Sequence, residues 1–348
     1  MTRTLAVRLD SLGDVLVTGP AVRALAAGSD HVTLLCGPRG RAAAELLPGV
    51  DELLCWRSPW IDPEPDPVDR ADVEDLVRRL AERCFDRAVV FTSFHQSALP
   101  TALLLRMAGI PWVGAISEDY PGSLLDVRHR FDEDVPEPER ALSLARACGF
   151  DLPAGDGGGL AVRTAVPEAS PVPYVVLHPG TSVPARAWPA ERFREACHLL
   201  TARGVTVVVT GGPDERDLTA FVAGGGGIDR GGCTDLGELA GLLAGARVVV
   251  VGNTGPAHLA AAVGVPVVSL FAPTVAAERW APYTPHRVLL GDPTAACRGT
   301  RATTCPVPGH PCLTSVTAEE VVAAATALGD LPGTAPSRAA GATLRRIP

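Results

Sequence analysis

The sequence predicts an α/β protein of two consecutive Rossmann-like halves, each a parallel sheet flanked by helices. Short β-branched runs alternate with Ala/Leu/Arg-rich helical stretches along the chain, the pattern of stacked βαβ units. The alternation breaks over residues 151–173, which are rich in Gly, Pro, Ala and Ser, and then restarts. A length of 348 residues suits two domains of roughly 150 residues each.

In the first half, strands are expected at residues 4–9, 32–35 and 88–91, with a weaker one at 112–115. Helical patterns lie between them at 15–27, 41–47, 70–83 and 98–108, and a further helix at 138–148 precedes the break. Residues 58–69, dense in Pro and Asp, read as a surface loop. In the second half the order is strand 174–178, helix 190–202, strand 205–210, helices 214–223 and 236–244, strand 247–251, helix 256–263, strand 267–271 and a last helix near 317–328. The expected division is therefore residues 1–160 and 161–330, with 331–348 a poorly ordered tail. Sheets of this kind receive ligands at the carboxyl ends of their strands, so a ligand is expected in the cleft between the halves.

Composition narrows the function. The hydrophobic fraction of 47% is ample for two cores, and a net charge of −8 argues against a nucleic-acid binder, which needs a basic face. There is no lysine; all 31 basic residues are arginine, which reads as coding bias. The longest apolar stretch, residues 236–251, is interrupted by Glu238 and Arg247 and is too short to span a bilayer. Residues 1–10 read as a strand, not a signal peptide. Nine cysteines, scattered and odd in number, fit reduced thiols, so a cytoplasmic protein is expected.

The richest segment runs from Val248 through Gly252-Asn253-Thr254-Gly255-Pro256-Ala257-His258 to Ala262. Four valines form a buried strand that Gly252 ends, Asn253 or Thr254 can cap the next helix, and Pro256 suits its first turn. Gly255 permits close approach of a ligand to the backbone. The free N–H groups of such a terminus suit a diphosphate, at roughly 0.3–1 kcal/mol per charge from the dipole. Most strand-to-helix turns of this type nonetheless stay empty.

Residues 253–274, with His258, the following alanines and Pro273-Thr274, resemble the C-terminal hallmark of glycosyltransferase family 9, the heptosyltransferases. The family's leading aspartate is Asn253 here, which keeps a cap but removes a charge. Residues 8–21, around Leu12-Gly13-Asp14-Val15-Leu16, are similar to the family's opening strand, loop and helix. Residues 175–193 resemble its first donor-domain strand, followed by a basic residue before Trp188-Pro189. The three blocks stand in the family's order, and the resemblance spans about residues 4–328.

The resemblance implies GT-B architecture, two Rossmann-like domains around a cleft, with the acceptor on the first and the nucleotide-sugar on the second. It implies an inverting, metal-independent transfer of a sugar, a heptose by family habit, from a nucleoside diphosphate, typically ADP, to an acceptor hydroxyl. Asp14 is the implied general base, since proton removal helps a hydroxyl attack an anomeric carbon; read by itself it is an acid in a helix's first turn. Arg186 can neutralise the leaving diphosphate or be a surface arginine beside a helix start. The other expected donor contacts are Thr181, Ser182, Glu215, Asn253, Thr254, Gly255 and His258, with residues 232–243 beside the base. Gly13 and His95 are expected on the acceptor side, where His129 could also lie.

The acceptor can be a glycan, a lipid-linked saccharide or a small molecule; membrane contact would be peripheral and only for a lipid-linked one. No cofactor is implied. Cys297, Cys305, Cys312 and His310 include zinc-binding residue types, but lack the paired spacing of a zinc site, and buried thiols are the expectation. Two alternatives are a nucleotide-sugar epimerase and a nucleotide-sugar-binding protein that has lost turnover because of Asn253. A nicotinamide dehydrogenase is disfavoured, since neither half shows G-x-G-x-x-G after its first strand.

Overall fold

The computed structural model describes residues 1–131, 133–163 and 172–331. The first half holds strands β1 (Arg3–Arg8), β2 (His31–Cys36), β3 (Glu52–Cys55), β4 (Arg87–Val90), β5 (Val113–Ile116) and β6 (Val127–His129). Its helices are α1 (Leu12–Val17), α2 (Gly19–Ala27), α3 (Arg41–Leu46), α4 (Arg70–Ala81), α5 (Leu99–Met107) and α6 (Glu137–Ala147). The second half holds β7 (Tyr174–His178), α7 (Ala190–Thr201), β8 (Thr206–Val209), α8 (Arg216–Ala223), β9 (Ile228–Asp229), α9 (Leu236–Ala244), β10 (Val248–Gly252) and α10 (Gly255–Ala262). It continues with β11 (Val267–Leu270), α11 (Ala277–Trp280), β12 (Arg287–Leu290), α12 (Pro311–Thr314) and α13 (Ala318–Gly329).

The two sheets share one topology. The first runs β3-β2-β1-β4-β5-β6 and the second β12-β11-β10-β7-β8-β9, every pairing parallel. Counted within each half, both read 3-2-1-4-5-6, the doubly wound order. The order reverses between β1 and β4 in one sheet and between β7 and β10 in the other. The loops leaving these four strands are therefore where a ligand site is favoured.

Among the described residues, all eight interior strands fall where the sequence predicts them; the four it misses, β3, β6, β9 and β12, are the four sheet edges. Interior strands are covered on both faces and read as continuous apolar runs, as in Val248–Gly252, buried throughout. The edge strands are short and largely uncovered, β9 wholly so.

The helix expected over 15–27 is two helices. Pro20, which has no N–H to donate, stands at the second position of α2, and the chain bends at Thr18-Gly19. Thr18 holds the junction by donating its hydroxyl to the Asp14 carbonyl at 2.8 Å.

Residues 151–163 of the expected linker lie pinned on the first half. Arg23 grips Asp156 through two bonds of 2.6 and 2.9 Å, and Arg163 N–H donates to the Leu46 carbonyl at 2.6 Å. The rest of that stretch, 164–171, and the tail expected beyond Leu331 lie outside the described residues. No helix among the described residues is long and apolar enough to cross a membrane. The nine cysteines are all free; Cys84 and Cys233 are exposed, and Cys36, Cys148, Cys197, Cys297 and Cys312 are buried.

Candidate active site

The halves meet where α1 faces α10. A methyl group at Gly13 would lie 3.2 Å from His258 Cδ2 and 3.4 Å from Gly255 Cα; one at Gly255 would lie 2.6 Å from Leu12 Cδ2. Only glycines let the two backbones approach this closely. The strand β10 aims this junction, since Gly252 ends it against the Arg186 carbonyl, 3.3 Å from where a Cβ would stand.

On the first half, Asp14 sits in the first turn of α1. One carboxylate oxygen accepts from Ser11 N–H at 3.2 Å, and the other accepts from Arg8 at 3.1 Å. Arg8, the last residue of β1, is only 2% exposed, and the sequence reading did not single it out. It also donates to Ser93 Oγ at 3.0 Å and lies 3.0 Å from Asp10 Oδ2. Burial opposes its charge, but Asp10 and then Asp14 outweigh burial and hold its pKa above the ordinary value.

Asp10 accepts from Gln96, and burial, against the pull of Arg8, raises its carboxyl to about 6. Glu137, also 2% exposed, pairs with Arg140 at 3.6 Å, and burial pushes its pKa up as well. The loop after β4 thus supplies Ser93 to Asp14 in α1 and Gln96 to Asp10 in the loop after β1. Beside Asp10 and Ser11 lies a cavity of about 30 Å³ lined by Arg39, Ser58 and Asp62 among others, and the buried Ser58 hydroxyl has no partner.

Among the described residues of the second half, several buried polar atoms lack partners. Arg186 Nε, Asn253 Nδ2, His258 Nδ1 and Thr274 Oγ1 are all unbonded. An unpaired buried polar atom costs about 1–3 kcal/mol, so Arg186, Asn253 and His258 around one helix start call for an explanation. Burial pushes the His258 imidazole down to about 4, Asp14 opposing and Arg186 assisting. Burial also lowers the Arg186 pKa, against the pull of Asp14. Asp14, Arg186 and His258 therefore sense one another across the cleft.

The structure brings Gly13, Asp14, Arg186, Asn253, Thr254, Gly255 and His258 together at the two switch points. Thr254 occupies the cap position of α10 with extended backbone but makes no cap bond through its side chain, and Asn253 precedes it. The capping role expected for either side chain is thus not filled. Thr181 closes a local turn by accepting from Val183 N–H at 3.2 Å, and Ser182 is exposed two residues beyond Gly180.

Glu215 lies at the ends of β7 and β8. It accepts from Gly212 N–H at 2.8 Å and fills the space over Gly180, where a Cβ would be 2.1 Å from its Oε1. His95, on the first half, senses the Asp14 charge and bonds Arg301 of the second half at 2.9 Å. His129 has a local role, meeting Ser143 Oγ at 3.1 Å. Among the described residues no group of three His, Cys, Asp or Glu could hold a metal ion. His310 instead meets the Ala185 carbonyl at 3.1 Å, and burial, with Cys297 and Cys305 adding, raises the Cys312 thiol to about 12.

Two doubly wound domains sharing a cleft, with the switch-point loops of both turned into it, define a GT-B glycosyltransferase architecture. The model of glycosyltransferase family 9 (heptosyltransferase) matches residues 73–310, and the chain belongs to that family; it is a glycosyltransferase. It is 29% identical to lipopolysaccharide heptosyltransferase 1 of Pseudomonas aeruginosa over 291 residues, 78% of this chain and 79% of that protein. The solved ADP-heptose lipopolysaccharide heptosyltransferase II of Escherichia coli has the same fold, with a TM-score of 0.73 at 21% identity, covering 94% of this chain and 98% of that one. The E. coli heptosyltransferase WaaC, solved with ADP-2-deoxy-2-fluoro heptose, superposes with a TM-score of 0.68 at 21% identity, covering 92% and 98%.

Proposed function

We propose that this chain transfers a heptose from an ADP-linked donor to an acceptor hydroxyl by a single inverting displacement. The donor lies on the second half and the acceptor on the first. The observation that carries this reading is the apposition of Asp14 to a cluster of unpaired buried polar groups, Arg186, Asn253 and His258, across the α1–α10 junction. The binding of an ADP-heptose analogue by the structurally similar E. coli enzyme supports the choice of donor.

In this mechanism Asp14 accepts the proton of the acceptor hydroxyl as its oxygen bonds to the anomeric carbon. The bond from that carbon to the diphosphate oxygen breaks on the opposite face, and the electron pair leaves with the diphosphate. Arg186, the amides of Thr254 and Gly255, and the hydroxyls of Thr181 and Ser182 meet the growing negative charge. These fixed donors supply the neutralisation, so the mechanism uses no metal. Asn253 offers its free amide to the donor, and Glu215 accepts ribose hydroxyls. The first half receives a glycan, a lipid-linked saccharide or a small hydroxylated molecule; the reaction is cytoplasmic, with peripheral membrane contact only for a lipid-linked acceptor.

A thermal-shift panel of ADP-, UDP-, GDP- and dTDP-sugars tests the donor, with selective stabilisation by ADP-heptose expected. Asp14→Asn is expected to lower kcat by about 10²–10⁴-fold while donor affinity holds. Unchanged turnover would remove Asp14 as the base. Tight donor binding by the wild type, with no transfer to any acceptor in an extract, would instead indicate a binding protein without turnover.

A further inference from the structure

We propose that Arg301 is a second cation for the donor diphosphate, held ready on the neutral ring of His95. The proposal rests on the donor site described above and adds a residue that reaches it from another loop.

Residues 297–310 form a strap around the donor side of the cleft. Gly299 N–H donates to the Pro273 carbonyl and Arg301 N–H to the Thr274 carbonyl, both at 2.8 Å. Ala185 N–H donates to the Thr303 carbonyl at 2.9 Å, and His310 meets the Ala185 carbonyl at 3.1 Å. The strap thus grips both the turn that carries Thr274 and the residue before Arg186. Arg301 itself has φ +58, left-handed backbone that a non-glycine residue adopts at a cost of about 1 kcal/mol or more. That backbone turns the side chain out of the strap and across to the first half.

There the guanidinium donates to His95 Nε2 at 2.9 Å and stacks over Phe94, its centre 5.2 Å from the ring centroid. A guanidinium has no lone pair to offer, so Nε2 must be the acceptor and the ring neutral. Burial and the Arg301 charge agree, pushing His95 down to about 4.

Arg279 covers the same Phe94 ring at 4.5 Å but has a counterion, Asp134 at 2.6 Å. Among the described residues, neither Arg301 nor Arg186 has a carboxylate within 4.0 Å. Burial lowers the pKa of both guanidiniums, the Arg301 charge lowers Arg186 further, and Asp14, which both sense from beyond ion-pair distance, leaves them room for a multiply charged anion. Because the Arg301 backbone is tied to the donor-side turn, a donor diphosphate is the anion it serves.

The test uses isothermal titration of the full chain with ADP and with AMP, or with the other di- and monophosphate pair that the panel selects. Arg301→Ala is expected to weaken diphosphate binding by about 10–100-fold, the scale of one charge-assisted bond, with little change for the monophosphate. Arg301→Lys should recover part of the loss. His95→Ala breaks the same resting contact but keeps the cation, so it should leave diphosphate affinity intact or raise it.

Equal losses for both nucleotides, or an equal loss in His95→Ala, would make Arg301 a structural residue and overturn the proposal. A loss confined to acceptor KM would reassign it to the acceptor, with the same consequence. Unchanged diphosphate affinity in Arg301→Ala overturns this proposal alone, whereas failure of the wild type to bind any nucleoside diphosphate overturns the donor site as well.

Discussion

Removing the Arg8 guanidinium would leave Asp10 and Asp14 side by side with no cation between them. Because Arg8 is almost wholly buried, Arg8→Ala is expected to destabilise the fold by about 3–5 kcal/mol, read as a lower urea midpoint. A loss under about 1 kcal/mol would mean that water replaces the guanidinium there. At this scale the sequence was legible where chemistry is local. Asp14, Arg186, Asn253 and His258 stand in short runs whose neighbours betray their role. Arg8 bonds Ser93 from 85 positions away, and Arg301 meets His95 from 206 away, so no local pattern marks either. A charged residue ending a switch-point strand was the available sign for Arg8.

Among the elements, glycines at close contacts do the positioning. Gly180 lies in the loop after β7, and the Glu215 carboxylate fills the space a side chain would need. Gly180→Ala is therefore expected to push Glu215 off Gly212 N–H and raise donor KM about tenfold, the scale of one or two hydrogen bonds, with kcat little changed. Initial-rate kinetics at saturating acceptor measure it, and a fall in kcat at unchanged KM would exclude a binding role for Glu215. Interior strands could be read from sequence because burial on both faces makes them apolar without interruption. Edge strands could not, since a three-residue run such as Val127–His129 carries no such signature. The bend at Thr18 was likewise hidden, because helical propensity continues through it while the missing Pro20 N–H breaks the ladder.

For the whole molecule, opposed titrations contribute to the response to acid. His258 falls from its ordinary 6.5 to about 4 in the folded state, so between those values the unfolded chain holds more protons and stability drops as pH falls. His95, also near 4, acts with the same sign. Asp10 rises from 3.8 to about 6, so the folded chain holds the extra proton and stability drops as pH rises through that range. The two effects oppose each other in the wild type. Asp10→Asn removes one of them, and its urea midpoint is expected to climb more steeply between pH 4 and 6 than that of the parent. Superimposable profiles would show that Asp10 titrates alike in both states.

The distribution of thiols has a use of its own. Cys84 lies in the first half and Cys233 in the second, and these two are the exposed ones of the nine. Burial holds Cys36, Cys148 and Cys312 near 12, where little thiolate forms at neutral pH. Maleimide dyes should therefore select the exposed pair, one on each side of the cleft. The native chain thus carries a built-in pair of labelling points for following the separation of its halves by energy transfer as donor and acceptor come and go.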